Sequence, residues 1–209
     1  FEVTPRHLRT VATDGHRLAM ATYESELPGV RSDLQVILPR KGVLELLRLL
    51  QNSDEDVRLV LGGNHFHAIT PDFTFTSKLV DGKFPEYERV VPRDADKRVL
   101  GPRVELKEAL ARTAILSNEK YRGVRLVLED DNLQILANNP EQEEAEEQVG
   151  VSYSGSRVEI GFNVSYLIDV LSVLGSEEVR LQLSDGSRSV LVQDPGREDA
   201  LYVVMPMRL

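Results

Sequence analysis

The sequence predicts an α+β fold in which antiparallel sheets carry helices on one face, built from two copies of one folding unit. Three observations predict it. The chain resembles itself at a period of about 122–125 residues. The matching segments alternate apolar and polar residues as strands do, and they end in turn-forming pairs. Each copy also has one amphipathic helical pattern between its strands.

Composition limits the classes of function. The 209 residues include 25 Lys and Arg against 34 Asp and Glu, which gives a formal net charge of −9, and 41% of them are hydrophobic. The acidic balance argues against indiscriminate coating of nucleic acid, although basic residues gathered on one face could still meet phosphates. The chain has no cysteine, which excludes disulfides, thiolate metal ligands and a cysteine nucleophile. No apolar run approaches the ~20 residues that span a bilayer, so a cytoplasmic protein is expected.

Two pairs of strand patterns carry the repeat. Residues 8–15 read like residues 133–140, and both segments run into a turn. Residues 57–61 read like residues 179–183, with valine, arginine and leucine in the same places. Alternation of this kind is typical of strands with one face buried. A strand is therefore predicted in each of the four segments.

An amphipathic helix is predicted between the strands of each copy. The apolar positions from Val43 to Leu50 line up with those from Leu167 to Leu174. A polar stripe at i, i+4, i+7 and i+11 also agrees, formed by Lys41, Glu45, Arg48 and Asn52 in one copy and by Ser165, Asp169, Ser172 and Ser176 in the other. A helix with one narrow polar stripe is expected to be buried on most sides, with the stripe left for water or a ligand. Turn residues at 52–54 and 175–176 predict where the helices end.

The second copy has more chain in front of it than the first. Val104 to Ser117 is predicted to be a helix and Tyr121 to Glu129 a strand. The counterpart of that helix in the first copy would begin about two dozen residues before Phe1. We therefore expect one truncated repeat and one complete repeat, joined by a linker at residues 92–97 that is polar and begins with proline.

Several blocks resemble a known family, the bacterial DNA sliding clamp, which is the beta subunit of DNA polymerase III. They include Thr-Asp-Gly-His-Arg-Leu at 13–18 and Met-Pro-Met-Arg-Leu at 205–209. In full, the blocks are residues 8–18, 39–43, 75–82, 114–120, 137–147, 161–166 and 202–209. They occur in the family's order over the whole chain.

The resemblance implies a DNA clamp fold with three similar domains per subunit, closed as a head-to-tail dimer around duplex DNA. By this resemblance residues 1–92 are the middle clamp domain without its N-terminal helix and strand. Residues 93–209 are the complete third domain. Since the first domain would be absent, this fragment is not expected to close a ring, whereas the full-length protein would be a homodimer.

The resemblance also implies a hydrophobic groove that receives short linear motifs from DNA polymerases and the clamp loader. Its residues would be Thr13, Gly15, His16, Arg17, Leu18, Pro85, Arg89, Val90, Ser189, Val203, Met205, Pro206, Met207, Arg208 and Leu209. The chemistry fits, because apolar peptide side chains need a concave apolar surface and methionine adapts to several ligands. From the residues alone, a solvated hairpin turn, or an acid/base pair of Asp14 and His16, would explain the first of these segments as well.

A second set of residues resembles the family's DNA-facing lining: Arg40, Lys41, Arg48, Lys120 and Arg122. A clamp must hold duplex DNA and still slide, so its phosphate contacts must be few and weak and it cannot read bases. An ordinary solvated helix face is the alternative for each of these residues.

A third set resembles the family's dimer interface: Ile115, Leu116, Glu143, Glu144, Glu146 and Glu147. If the second copy's first helix continues to Leu116, then Leu106, Leu110, Ala114 and Ser117 share one side and Ile115 points away as an exposed apolar residue. The alternative is that the helix ends earlier. A run of acidic residues is by itself usually a solvated face.

These observations predict a non-catalytic processivity factor with no cofactor. No phosphate-binding glycine motif is present in the sequence. His65 and His67 lie on one side of a predicted strand, but they lack a third ligand, so no metal is expected. Two alternatives stay open. One is a small hydrolase that uses Asp14 and His16, and the other is a protein-interaction scaffold that does not bind DNA.

Overall fold

The computed structural model describes residues 1–93 and 95–208. The chain divides into two compact units. The first unit consists of Phe1–Thr10 and Tyr23–Glu86, and the second consists of Val11–Thr22 and the described residues from Tyr87 onward. A hairpin near the start of the chain therefore belongs to the second unit, although its flanking residues belong to the first.

Short strands are the most frequent regular element of the described chain. The strands are β1 (Glu2–Val3), β2 (His7–Thr13), β3 (Arg17–Glu24), β4 (Leu34–Gln35), β5 (Arg58–Gly62), β6 (His65–Ile69), β7 (Thr74–Lys78), β8 (Lys97–Pro102), β9 (Gly123–Glu129), β10 (Asn132–Asn138), β11 (Glu144–Gly150), β12 (Val158–Asn163), β13 (Glu178–Leu183), β14 (Val190–Gln193) and β15 (Ala200–Val204). The helices are α1 (Arg40–Leu50), α2 (Arg103–Thr113) and α3 (Val164–Val173), with 3-10 turns at Tyr87–Arg89 and Ala114–Leu116.

The first unit packs one helix on a small sheet. Strands β5, β6 and β7 form an antiparallel sheet in that order, and β4, β1 and β2 pair side by side, also antiparallel. Leu46 of α1 shares a core with Phe66 and Ala68 of β6. Gly42 lets α1 approach the sheet closely, because a Cβ there would lie 3.0 Å from the Ser77 hydroxyl.

The prediction that the first copy's helix is buried on most sides is wrong. Val43, Leu44 and Leu47 of α1 are 44%, 49% and 64% exposed, although all three are apolar. Only Gly42 and Leu46 of this helix are buried. The apolar pattern identifies the helix. Burial of each apolar side also requires another element that packs against it, and among the described residues of the first unit only the sheet side of α1 has one.

The second unit has two sheets and two helices around one core. One sheet has the order β3-β15-β14-β13-β8 and the other β11-β10-β9-β12, and all the pairs are antiparallel. Helix α2 packs against α3. The core includes Leu106 and Leu110 of α2, Leu167 and Leu171 of α3, and strand residues such as Phe162. The predicted α+β class with antiparallel sheets is confirmed.

The repeat is visible in the strand register. In the first unit Val3 of β1 pairs with Leu8 of β2. In the second unit Leu128 of β9 pairs with Leu133 of β10. Leu128 lies 125 positions after Val3, and Leu133 lies 125 positions after Leu8. The strand order β4-β1-β2 in one unit likewise corresponds to β12-β9-β10 in the other. Self-similarity in sequence therefore reflects one unit folded twice.

One predicted helix ends earlier than expected, and one predicted strand begins later. Helix α2 ends at Thr113 and a 3-10 turn follows, so the helix expected to reach Ser117 changes type in its last turn. The strand expected from Tyr121 begins at Gly123. Arg122 has a φ of +51°, a left-handed conformation that does not continue a strand.

Candidate functional site

The turn between β2 and β3 is fixed by its own side chains. The Thr13 hydroxyl donates to the Arg17 carbonyl at 2.8 Å. Asp14 accepts the backbone N–H groups of His16 and Arg17, each at 3.0 Å. Gly15 has a φ of +87°, a conformation that favours glycine. The segment 13–17 therefore presents His16 and Arg17 from a rigid hairpin end.

Arg17 is held by three neighbours. Its Nε donates to Asp14 at 3.1 Å and its Nη1 donates to Asp169 of α3 at 2.5 Å. Its guanidinium carbon lies 4.6 Å from the centre of the Tyr166 ring. Two carboxylates and an aromatic face thus fix the position of one guanidinium, which has a planar fork suited to such pairs.

The C-terminal segment joins this cluster through the backbone. Leu18 pairs with Val203 in the β3–β15 register, and both are buried. The Met205 N–H donates to the His16 carbonyl at 2.9 Å. The Met207 N–H donates to the Gly161 carbonyl at 2.9 Å, so the tail also lies along β12. The hairpin end, the start of α3 and the tail form one surface, called here the groove surface.

The groove surface mixes apolar and aromatic side chains with ion pairs. The His16 ring stacks on Tyr166 with centroids 6.2 Å apart. Met205 and Met207 are half-buried. These adaptable or flat side chains suit a peptide with apolar side chains.

The pKa values of Arg17 and Asp14 both shift in the direction that favours the charged form. The hydrogen bond to Asp169 raises the pKa of Arg17, against the opposing effect of burial. Burial acts to raise the pKa of Asp14, but hydrogen bonds from the backbone of His16 and Arg17 and from the Arg17 side chain outweigh it, so that pKa is lowered. The carboxylate of Asp14 is committed to these donors. The His16 contribution is a backbone N–H and not the ring, so the pair has no acid/base geometry and the hydrolase alternative is not favoured.

Not every residue predicted for the groove lies on the groove surface. The structure brings together Thr13, Gly15, His16, Arg17, Leu18, Val203, Met205 and Met207. Pro206 lies between the two methionines, Arg208 follows them as an exposed residue, and Ser189 directly precedes Val190, which pairs with Val204. Arg89 ends the 3-10 turn before Val90. Pro85 lies in the first unit, and Leu209 lies outside the described residues.

Tyr166 and Asp169 are the residues of the groove surface that the site prediction missed. Tyr166 stands in a block that carries the family resemblance, and Asp169 stands in the polar stripe of α3. Both signals were present in the sequence. Neither connects these residues to a hairpin about 150 positions earlier.

The residues predicted to face DNA differ in their exposure to solvent and in their contacts within the chain. Arg40, Lys41 and Arg48 are exposed on α1, and Arg48 donates to Glu45 at 2.6 Å. Lys120 is exposed, with its Nζ 5.3 Å from the centre of the Tyr121 ring. Arg122 is half-buried and its Nη1 donates to the Ala114 carbonyl at 3.2 Å. This bond ties Arg122 to the end of α2.

The residues predicted for a dimer interface lie in the 3-10 turn after α2 and in or just before strand β11 of the second unit. Ile115 is 77% exposed in the 3-10 turn after α2, and Leu116 is half-buried. Strand β11, an edge of the four-stranded sheet, begins at Glu144, one residue after Glu143. Within the chain, Glu143 bonds to Asn139, Glu146 accepts from Gln134, and Glu147 pairs with Arg112 at 2.7 Å.

The described residues contain no group of three or more His, Cys, Asp and Glu side chains placed to hold a metal ion. The His65 and His67 rings on β6 stack with centroids 6.2 Å apart. Among the described residues, no helix has the length and apolar character needed to span a membrane.

Two family models match the chain in tandem. The model described as "DNA polymerase III beta subunit, central domain" matches residues 1–86, and the one described as "DNA polymerase III beta subunit, C-terminal domain" matches residues 88–208. Fold and motifs thus define a DNA clamp protein of the bacterial type. The chain belongs to the DNA polymerase III beta subunit family.

Similar proteins agree with this assignment. The chain is 61% identical over its whole length to the beta sliding clamp of Pseudomonas aeruginosa and 54% identical to that of Escherichia coli K12, and it spans 57% of the length of each. A crystal structure of the Pseudomonas aeruginosa clamp matches with a TM-score of 0.96 over 100% of this chain and 57% of that one. A Bartonella birtlesii clamp bound to griselimycin matches with a TM-score of 0.90 at 39% identity, over 97% of this chain and 55% of that one. A Pseudomonas aeruginosa clamp bound to griselimycin matches at 61% identity, with a TM-score of 0.96, over 100% of this chain and 56% of that one.

Proposed function

We propose that this chain is part of a replication sliding clamp, a non-catalytic processivity factor that encircles duplex DNA in the cytoplasm and tethers DNA polymerase to it. The observation that carries the proposal is the tandem match to two beta subunit domains along a chain whose fold repeats in the same order. Tethering raises the local concentration of polymerase at the primer, because a partner held on DNA rebinds before it diffuses away. The alternative is a scaffold without DNA, which would leave circular and linear DNA equally fast.

The two parts of the chain are proposed to be two domains of the clamp. Residues 1–92 would be the middle clamp domain without its first helix and strand, and residues 93–209 the complete third domain. Support comes from the helices. Leu167 and Leu171 of α3 are buried in the second unit, where α2 packs on α3. Their counterparts in the repeat, Val43 and Leu47 of α1, are exposed. A helix equivalent to α2 would cover them in a longer clamp.

The groove surface is proposed to bind short linear motifs of polymerases and the clamp loader. The half-buried side chains of Met205, Met207 and Tyr166 offer apolar contact above the buried pair Leu18 and Val203, and the hairpin end adds fixed polar groups. Peptide-binding sites combine these features, since apolar pockets give affinity and a few placed polar groups fix orientation. Griselimycin is bound to clamps of Pseudomonas aeruginosa and Bartonella birtlesii, and we propose that it binds this chain at the groove surface.

The DNA contact and the dimer contact are proposed on separate surfaces. Arg40, Lys41 and Arg48 would meet phosphates, and the pairing of Arg48 with Glu45 would keep that contact weak, as sliding requires. Lys120 and Arg122 would do so in the second unit. The exposed Ile115 and the open edge of β11 would face the neighbouring subunit of a full-length homodimer. This chain alone is not expected to close a ring.

Removing residues 205–209 tests the groove. Griselimycin should bind the unaltered chain, and the truncated chain should bind about tenfold more weakly or worse, because deletion of a contact wall costs on the order of 2 kcal/mol. Isothermal titration calorimetry measures both. Because the deletion also removes the Met207 bond to Gly161, the point variant His16→Ala provides a second test with the tail intact.

The matched control is Glu108→Gln, which removes a carboxylate from an exposed position on α2. Circular dichroism should show that all the variants keep the fold. Equal affinities for the unaltered chain, the truncation and His16→Ala would contradict the groove assignment.

A further inference from the structure

The carboxylate of Asp169 connects two elements of the groove surface that are far apart in sequence. Asp169 lies in the middle of α3, and it accepts a hydrogen bond from Nη1 of Arg17, at the start of β3, at 2.5 Å. Its side chain is 61% exposed, so it is not needed to fill the core. An exposed carboxylate with one defined partner calls for an explanation in terms of that partner.

Asp14 alone would not fix Arg17 relative to the rest of the groove surface. Asp14 and Arg17 belong to the same hairpin turn, and the bond between them at 3.1 Å moves with that turn. Asp169 belongs to α3, as does Tyr166, whose ring lies 4.6 Å from the guanidinium carbon. Among the guanidinium contacts described above, those to Asp169 and Tyr166 of α3 are the ones that hold it across elements.

A long arginine side chain has several rotatable bonds, and a ligand that needs it in one place must otherwise order it on binding. Two carboxylates on different elements reduce that loss before the ligand arrives. The ring of Tyr166 supports the flat face of the guanidinium at the same time. The groove surface is therefore preorganised on its polar side.

We propose that Asp169 is a positioning residue for peptide binding, which holds Arg17 over Tyr166 and so preforms the polar wall of the groove surface. This inference rests on the proposed function of the groove. It assigns to Asp169 no contact with the ligand. The residue acts through Arg17.

The test measures griselimycin binding to the whole chain by isothermal titration calorimetry. Asp169→Asn keeps the shape of the side chain and removes its charge, and it should weaken binding about two- to fivefold, the range expected for a partly exposed ion pair. Asp169→Glu restores the charge and should return the affinity to within about twofold of the original. Glu108→Gln should leave it unchanged, because that carboxylate lies on α2 and outside the groove surface.

A double-mutant cycle separates positioning from direct contact. In a chain that carries Arg17→Met, the further change Asp169→Asn should have no effect, since the residue it acts through is gone. Equal losses in both backgrounds would overturn the positioning role, and so would an Asp169→Asn variant that binds as tightly as the original chain.

The restraint on Arg17 can also be tested in the free chain, without griselimycin. Nitrogen-15 spectra of the free chain should show restricted rotation of the Arg17 guanidinium, and Asp169→Asn should release it while the melting temperature stays the same. Unchanged Arg17 rotation would overturn the proposal. If the unaltered chain binds no griselimycin although Arg17 is restrained, the proposed groove function fails and the role in binding fails with it.

Discussion

Asp194 follows β14 and is only 7% exposed, yet it carries a charge. It accepts the backbone N–H groups of Gly175 at 3.4 Å and Ser176 at 3.3 Å, together with the Ser176 hydroxyl. Replacing Asp194 by alanine removes the acceptor of the part-buried N–H groups of Gly175 and Ser176, whereas the Ser176 hydroxyl can still donate to the Glu178 carbonyl. We expect Asp194→Ala to lower the free energy of unfolding by about 1–3 kcal/mol, measured by urea denaturation. Glu198→Gln, four residues away and exposed, should change it by less than about 0.5 kcal/mol.

The same residue gives the stability a pH dependence. Burial acts to raise the pKa of Asp194, but the hydrogen bonds from Ser176 and Gly175 outweigh it, so the folded pKa lies below the ordinary aspartate value of about 3.9. A lowered folded pKa means that the contribution is present above the unfolded value and is lost as the pH falls through the folded value. The difference between the original chain and Asp194→Asn should therefore be largest near pH 7 and shrink below about pH 4. A difference that stays constant from pH 7 to pH 3 would contradict this account.

Sequence reasoning works for residues whose role is local or carried by a motif. The turn at Asp14 and Gly15 follows from turn chemistry, and the family resemblance identifies the apolar tail around Met205. The pair of Arg17 and Asp169 spans 152 positions. No periodicity connects such residues, and only the folded register of β3, β15 and α3 brings them together. The site prediction missed Asp169 for that reason.

Helices α1 and α3 have matching apolar patterns but different surroundings. In the second unit α2 packs on α3 and Leu171 is buried, whereas its repeat counterpart Leu47 is 64% exposed. We expect Leu171→Ala to cost about 2–5 kcal/mol, as burial in a packed core implies. Leu47→Ala should cost no more than about 0.5 kcal/mol, because alanine and leucine are both good helix formers and little area is lost. Native-state hydrogen exchange of peptides from each helix measures the two effects separately.

The two substitutions control each other, since both remove the same atoms from matching helix positions. In a longer clamp that includes the segment proposed to cover α1, Leu47→Ala should become as costly as Leu171→Ala. Equal costs in the present chain would mean that α1 is already covered, which would contradict the proposed truncated repeat. At this scale the sequence predicted the three α-helices of the described residues and the antiparallel sheets, but not the 3-10 turns at Tyr87–Arg89 and Ala114–Leu116. It could not predict the burial of α1, because burial depends on what lies opposite the helix.

At the scale of the whole molecule, the proposed clamp stays on DNA because the ring is closed around it, more than because of its affinity for phosphates. A net charge of −9 gives no general attraction to DNA. The exposed basic residues of α1 are few, and one of them is paired with Glu45. Contacts of this kind weaken steeply with salt. A clamp with such contacts can stay on DNA only if the DNA passes through a closed ring.

Retention of a threaded clamp should depend on whether the DNA is circular or linear. A full-length form, loaded on nicked circular DNA and washed at about 200 mM salt, should remain bound, because the wash removes phosphate contacts but does not open the ring. Cutting the circle after loading should release it over the free ends. The present chain spans 57% of its clamp relatives and should be lost from both circular and linear DNA. Gel filtration of the DNA-bound fraction measures each case.

If the full-length form leaves circular and linear DNA equally fast, the threaded ring is wrong and a scaffold without DNA becomes the better account. If the present chain stays on circles and leaves linear DNA, then this part of the clamp closes around DNA by itself, which would contradict the expectation that it cannot.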